Sequence, residues 1–129
     1  MKEPIIQTSS KAQTKVQTAD LLLFDTILEA LEDKKAEKII SIDLKEIEEA
    51  AADYFIICEV NSGIQMAAVA NHVEKQVREL LAEKPYQFEL SPSWTLVDYI
   101  NIVVHIFLSD ERKFYDLESL WLDGFLQEH

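Results

Sequence analysis

The sequence predicts an α/β (α+β) fold, with a mixed β-sheet of about five strands and helices packed mainly on one face. Short runs rich in β-branched residues alternate with longer stretches in which apolar residues recur at helical spacing. The segments follow the order helix, strand, strand, helix, three strands, helix, which requires both parallel and antiparallel neighbours. A chain of 129 residues is long enough for one hydrophobic core.

The first helix is predicted to begin at Asp20, a residue suited to capping, and to end near Lys34. Its apolar stripe consists of Leu23, Phe24, Ile27, Leu28 and Leu31. Residues 1–18, rich in Gln, Thr, Ser and Lys, are expected to be a disordered N-terminal tail. Residues 19–125 then form the single domain, and residues 126–129 form a C-terminal tail.

Two strands and a long second helix follow the first helix. Residues 39–44 and 53–60 are short and β-branched, and a turn of helix is expected over 45–52 between them. Ser62 followed by Gln65 has the form of a capping box, and Pro85 ends the helix that it opens. The apolar stripe of this helix consists of Met66, Ala70, Val73, Val77 and Leu80.

The last third of the chain predicts a short strand at 86–89, a hairpin of 94–99 and 102–108, and a helix from Ser109. Strand alternation puts two sets of side chains on opposite hairpin faces. One face has Trp94, Leu96, Asp98, Val103, His105 and Phe107, and the other has Thr95, Val97, Tyr99, Ile102, Val104 and Ile106. The helices can bury the second set. The first set needs either the last helix or a partner protein, and its aromatic content favours a partner.

Charge and composition narrow the classes of partner. The net charge is −12, which disfavours direct binding to nucleic acid or to an anionic membrane and favours a basic protein partner. No apolar run approaches the ~20 residues that span a bilayer. Cys58 is the only cysteine, so an intrachain disulfide is excluded and a cytoplasmic location is expected.

The residues that could support catalysis are sparse. His105 lies mid-strand and has no neighbours at metal-ligand spacing, so it is interpreted as a core or interface histidine. A nucleotide-binding or nucleotidyltransferase-like enzyme would use the turn at Ser62 and the carboxylate of Asp43, but such a site needs a second acid on the strand. The sequence therefore predicts no catalytic residue, no metal and no cofactor, with the enzyme as the alternative.

Residues 52–58, 94–99, 102–107 and 112–121 form four separated blocks, within a match that runs from about Leu21 to Gly124. In this order the blocks resemble the Iojap family of ribosomal silencing factors. The resemblance implies a nucleotidyltransferase-like topology without known catalysis, and often a homodimer. It implies binding to ribosomal protein fourteen of the large ribosomal subunit, which would block association with the small subunit and repress translation.

The resemblance also implies a contact surface centred on the hairpin. Carried over to this sequence, its residues are Trp94, Asp98, Tyr99, Phe107, Arg112 and Tyr115. One departure concerns the hairpin tip, where the family commonly has Gly and this chain has Ile100 followed by Asn101. Because a tight turn there requires a positive φ, a wider tip is expected.

Overall fold

The computed structural model describes residues 8–110 and 125–129, with side chains described for 19–110 and 126–129. Two helices and six strands are assigned in these ranges. They are α1 (Thr8–Asp33), β1 (Glu37–Asp43), β2 (Tyr54–Val60), α2 (Gly63–Leu81), β3 (Gln87–Glu89), β4 (Trp94–Asp98), β5 (Ile102–Leu108) and β6 (Phe125–Glu128). Ser109 and Asp110, where the last helix was expected to begin, form a turn, and the rest of that predicted helix lies outside the described residues.

The strands form one mixed sheet in the order β3-β4-β5-β2-β1-β6, which confirms the predicted fold class. β2 and β5 are parallel neighbours at its centre, and the other pairs are antiparallel. The sixth strand was not expected, since residues 126–129 were predicted to be a tail. It pairs with β1 from Asp43 opposite Phe125 to Ile40 opposite Glu128, and so satisfies the backbone groups along that edge of β1.

Both helices pack on one face of the sheet, as predicted. The stripe of α1 buries Leu23, Ile27 and Leu31 completely or nearly so, against residues of α2 and of the sheet. The helix begins at Thr8 rather than at Asp20, so the backbone of residues 8–18 is helical where a disordered tail was expected.

The start of α2 confirms the predicted capping box. The side-chain oxygen of Ser62 accepts the N–H of Gln65 at 3.1 Å, and the Gln65 side chain accepts the N–H of Asn61 at 2.9 Å. Leu80 was expected in the buried stripe but is 61% exposed. The spacing explains this, because the position one helical turn beyond Val77 is Leu81, and Leu81 packs against the core instead.

The other face of the sheet carries a second apolar cluster. Its members from the sheet are Ile40, Ile42, Phe55, Ile57, Val103 and Phe107. The segment between β1 and β2 folds over one end of this face and adds Leu44 and Ala52. The helical turn expected over 45–52 is wrong: the N–H of Ile47 reaches the C=O of Leu44 and that of Ala50 reaches the C=O of Ile47, which gives two successive turns.

The tip of the β4–β5 hairpin is tight, and the wider turn expected there is wrong. The N–H of Tyr99 donates to the C=O of Ile102 at 2.9 Å, which leaves two residues in the turn. Ile100 accordingly takes a positive φ of 73°. The carboxylate of Asp98 accepts the N–H of Ile100 at 2.7 Å and holds the residue in that conformation. A β-branched residue at this φ carries strain.

Replacing Ile100 by Gly should therefore stabilise the protein. Gly adopts a positive φ without strain, and Ile100 is 59% exposed, so little burial is lost. Removing the backbone strain should stabilise the folded state by about 1–2 kcal/mol, which exceeds the entropic cost of glycine, about 0.5–1 kcal/mol. The net gain in the free energy of unfolding should therefore be below about 1.5 kcal/mol. Urea unfolding measures the difference. The same replacement at the exposed helical residue Ile64 is the matched control and should lower stability. If Gly lowered stability at both positions, Ile100 would not be strained.

Candidate functional site

The aromatic residues of the second sheet face form one stack across β4 and β5. Trp94 lies opposite Phe107 in the strand register, and their ring centroids are 5.2 Å apart with 24° between the planes. His105 lies next to both rings, with its centroid 5.7 Å from Trp94 and 6.3 Å from Phe107. Phe55 of β2 packs against the stack: its ring lies edge-on to His105, with the two ring centroids 4.7 Å apart. We call Trp94, His105 and Phe107 the aromatic stack.

A hydrogen bond fixes the orientation of the indole within this stack. Trp94 donates its Nε1–H to Nδ1 of His105 over 3.2 Å. Because an indole nitrogen only donates, Nδ1 must be the unprotonated nitrogen of His105, and the neutral ring then carries its proton on Nε2. Burial of His105, 5% exposed, lowers the pKa of its imidazole from 6.5 to about 4 and so favours the form that accepts from Trp94.

Exposure divides the face into a buried centre and a partly exposed margin. Phe107 is 1% exposed and Val103 is 7% exposed, so the centre of this face is buried within the chain. On β4, by contrast, Trp94, Leu96 and Asp98 are partly exposed. We call these three residues the β4 margin. It joins an amphipathic aromatic ring, an apolar side chain and a carboxylate on a rigid strand.

The other residues expected in the contact surface lie elsewhere. Tyr99 is 8% exposed and packs in the cluster on the helix side of the sheet, so its ring and that of Trp94 do not share a surface. Burial, with the negative charges of Glu74 and Glu83, raises the pKa of the Tyr99 phenol well above its usual value. Arg112 and Tyr115 lie outside the described residues.

His105 and Phe55 are the contributors to the site that the sequence analysis did not assign to it. The signal for His105 was present, since alternation placed it on the same face as Trp94 and Phe107. Its direct neighbour across the strands is Leu96, and the contact with Trp94 is diagonal. Diagonal neighbours lie within reach of aromatic side chains, so this bond could have been proposed from the register.

The structure does not bring Asp43 close to the turn at Ser62, as the nucleotide-binding alternative requires. Asp43 pairs with Tyr54, the first residue of β2, whereas Ser62 lies two residues beyond Val60, the last residue of that strand. At about 3.3 Å per residue the two ends of β2 are about 20 Å apart, so Asp43 and Ser62 lie at opposite ends of the strand, too far apart to hold one nucleotide phosphate. Within the described residues there is no group of three or more His, Cys, Asp or Glu side chains that could hold a metal ion. No helix in the same ranges has the length and apolar character to cross a membrane.

Comparison with known proteins identifies close relatives of the chain. Residues 16–129 match the family model described as ribosomal silencing factor during starvation. The ribosomal silencing factor of Bacillus subtilis is 41% identical over 97 residues, covering 74% of this chain and 80% of that protein. The one of Halalkalibacterium halodurans is 38% identical over 103 residues, covering 79% and 87%. A crystal structure of a Chromobacterium violaceum protein superposes with a TM-score of 0.72 at 32% identity, covering 78% of this chain and 84% of that one.

The buried imidazole predicts a dependence of stability on pH. The folded pKa of His105, about 4, lies below the unfolded value of 6.5, so the unfolded state binds the extra proton in that interval. This pKa difference contributes about 3 kcal/mol to the free energy of unfolding. The contribution is fully present above pH 6.5 and is lost as the pH falls to 4. Since the described rings in contact with it do not titrate, the loss belongs to the imidazole itself.

Urea unfolding across this pH interval checks the prediction, with His105→Gln as the control because its amide does not titrate. The difference in unfolding free energy between wild type and variant should shrink as the pH falls. Two curves that stay parallel between pH 7 and 4 would show that His105 is not a neutral buried base.

Proposed function

Because the chain belongs to the ribosomal silencing factor family, we propose that it binds ribosomal protein fourteen of the large subunit and sterically blocks association of the two ribosomal subunits. The result would be repression of translation without any chemical step. The family membership confirms the resemblance found in the sequence. The observation that carries the docking proposal is the partly exposed Trp94 indole, held on a rigid strand by a buried histidine.

Preorganisation of Trp94 supports this role. Protein interfaces draw most of their binding energy from a few anchors, among which Trp is enriched. An anchor that is already ordered in the free protein avoids the entropic cost of immobilising a side chain on binding. Stacking on His105 and Phe107 orders the indole before any partner arrives. The ring then presents its partly exposed surface in one orientation.

Charge supports a basic partner. The chain has a net charge of −12, and ribosomal proteins are as a class basic. Asp98 adds a carboxylate to the β4 margin beside Trp94, although one of its oxygens also accepts the N–H of Ile100. Complementary charge accelerates association and disfavours wrong partners more than it adds affinity. Association should accordingly slow as the salt concentration rises.

Within this proposal the sequence-derived contact residues take different parts. Trp94 and Asp98 touch the partner directly, and Phe107 supports Trp94 from the buried side. Tyr99 acts through the helix-side core behind the hairpin. Arg112 and Tyr115, which lie outside the described residues, are included as partner contacts because the resemblance implies them. The proposal includes a cytoplasmic location, where ribosomal subunits meet, and a homodimer of the free protein.

A subunit-joining assay tests the proposed activity. Purified small and large subunits are mixed with the protein and separated by sedimentation. The expected result is fewer joined ribosomes, with the protein retained by the large subunit alone. Joining at the control level in the presence of excess protein, or retention by the small subunit, would contradict the mechanism.

Replacement of Trp94 by Ala should weaken binding to ribosomal protein fourteen by about 2 kcal/mol or more, because the variant lacks the indole that would be buried against the partner in the complex. Isothermal titration calorimetry measures the change. Leu80→Ala is the matched control: Leu80 is also a large exposed side chain, but it lies on α2, on the opposite side of the sheet. Equal affinity of Trp94→Ala and Leu80→Ala would remove Trp94 from the interface.

A further inference from the structure

A cavity of about 310 Å³ lies on the helix side of the sheet, between the start of α2 and the segment that joins β3 to β4. It is lined by Gly63, Met66, Ala67, Leu90, Ser91, Pro92 and Thr95. Its volume falls at the lower end of the range for small-molecule sites, so a ligand that fills it has few heavy atoms. The cavity is on the face opposite the β4 margin, and its occupant is independent of the proposed ribosomal docking.

The start of α2 supplies hydrogen-bond donors to this region. Ser62 accepts the N–H groups of Gln65 and Met66, whereas no bond within the described residues satisfies the N–H groups of Gly63 and Ile64. These groups carry the partial positive charge of the helix N-terminus. The helix also begins at the carboxyl end of β2, beside the carboxyl end of the parallel strand β5. Ligands of sheets with parallel strands commonly bind at that edge.

Thr95 provides a second and independent indication of a ligand. Its side chain is 0% exposed, and its Oγ1 is buried without a hydrogen-bond partner among the residues that the structure describes. Its neighbours Trp94 and Leu96 pack on the far face, so strand alternation turns Thr95 toward α2 and the cavity that it lines. A buried hydroxyl without a partner is costly. An oxygen atom in the cavity would satisfy it, and the adaptable side chain of Met66 can shift to admit that atom.

The other residues that line the cavity indicate the polarity and the charge of the ligand. Met66, Ala67, Leu90 and Pro92 are apolar, and among the lining residues that the structure describes there is no Lys or Arg. Without a cation among these described residues, and on a chain of net charge −12, a di- or triphosphate with several negative charges would be repelled more strongly than a single carboxylate. We propose that the cavity binds a small carboxylic acid: the carboxylate accepts from the N–H of Gly63 and the hydroxyl of Thr95, and a short apolar body packs against Met66 and Leu90.

Nuclear magnetic resonance with hexanoate as the probe tests this site on the full chain. The chain has only two glycines, Gly63 and Gly124, so the Gly63 amide signal is readily assigned. Millimolar hexanoate should shift that signal. Inorganic phosphate, which lacks the apolar body, and 1-hexanol, which lacks the charge, should shift it much less at the same concentration.

Two variants separate a ligand site from a structural role. Thr95→Val should bind hexanoate about tenfold more weakly, because one hydrogen bond to a charged group is lost. It should also melt at a higher temperature than wild type, because it removes the unpartnered hydroxyl, so weaker binding cannot come from unfolding. Thr26→Val, on α1 and outside the cavity lining, is the matched control and should bind as wild type does.

Gly63→Ala is the second test variant. An added Cβ meets no atom within 4 Å, so the variant should fold, but its methyl group occupies the open space beside the Gly63 N–H and should weaken binding. The proposal is overturned if millimolar hexanoate leaves the Gly63 signal unchanged. It is also overturned if Thr95→Val retains wild-type affinity, or if hexanoate and 1-hexanol bind equally well.

Discussion

The stack of Trp94 on His105 and Phe107 connects the partly exposed margin of the sheet to its buried centre. The imidazole of His105 is buried, and burial disfavours its charged form. Its neutral form is also the form that accepts the indole N–H of Trp94. Burial thus favours the protonation state that the hydrogen bond needs. The position of the indole follows from these two effects together, and the docking surface depends on that position.

This arrangement depends in turn on the parallel pair at the centre of the sheet. β2 and β5 are buried on both faces, which is typical of parallel strands and explains their nearly continuous apolar sequence. One face takes α1 and α2, and the other holds the second apolar cluster with the turns between β1 and β2. β4 lies one strand away from the centre, so its outer side chains are only partly covered. An anchor on this strand is rigid yet accessible.

Much of this fold could be predicted from the sequence, because alternation and helical spacing are strong signals when they agree with the turns between them. The two faces of the hairpin are an example: alternation assigned them correctly, although a wider tip was expected and the structure has a two-residue turn at Ile100. The capping box at Ser62 is another. β6 could not be predicted, because its four residues carry no strong pattern and become a strand only by pairing with the edge of β1.

The site was predictable in part. Alternation placed Trp94, His105 and Phe107 on one face, but it does not distinguish the buried centre of a face from its margin, which depends on how the strands are ordered in the sheet. The bond from Trp94 to His105 depends on side-chain rotamers as well as on register, and a strand pattern does not contain them. Thr95 shows the same limit on the other face, where only the folded chain reveals that its hydroxyl has no partner in the described part of the structure.

The most direct test of the docking surface is the indole N–H resonance of Trp94 during titration with ribosomal protein fourteen. The chain has two tryptophans, and a Trp121→Phe variant assigns the signal. The account predicts that the Trp94 signal shifts or broadens in step with complex formation. A complex that forms while this signal stays unchanged would place the interface elsewhere and contradict the account.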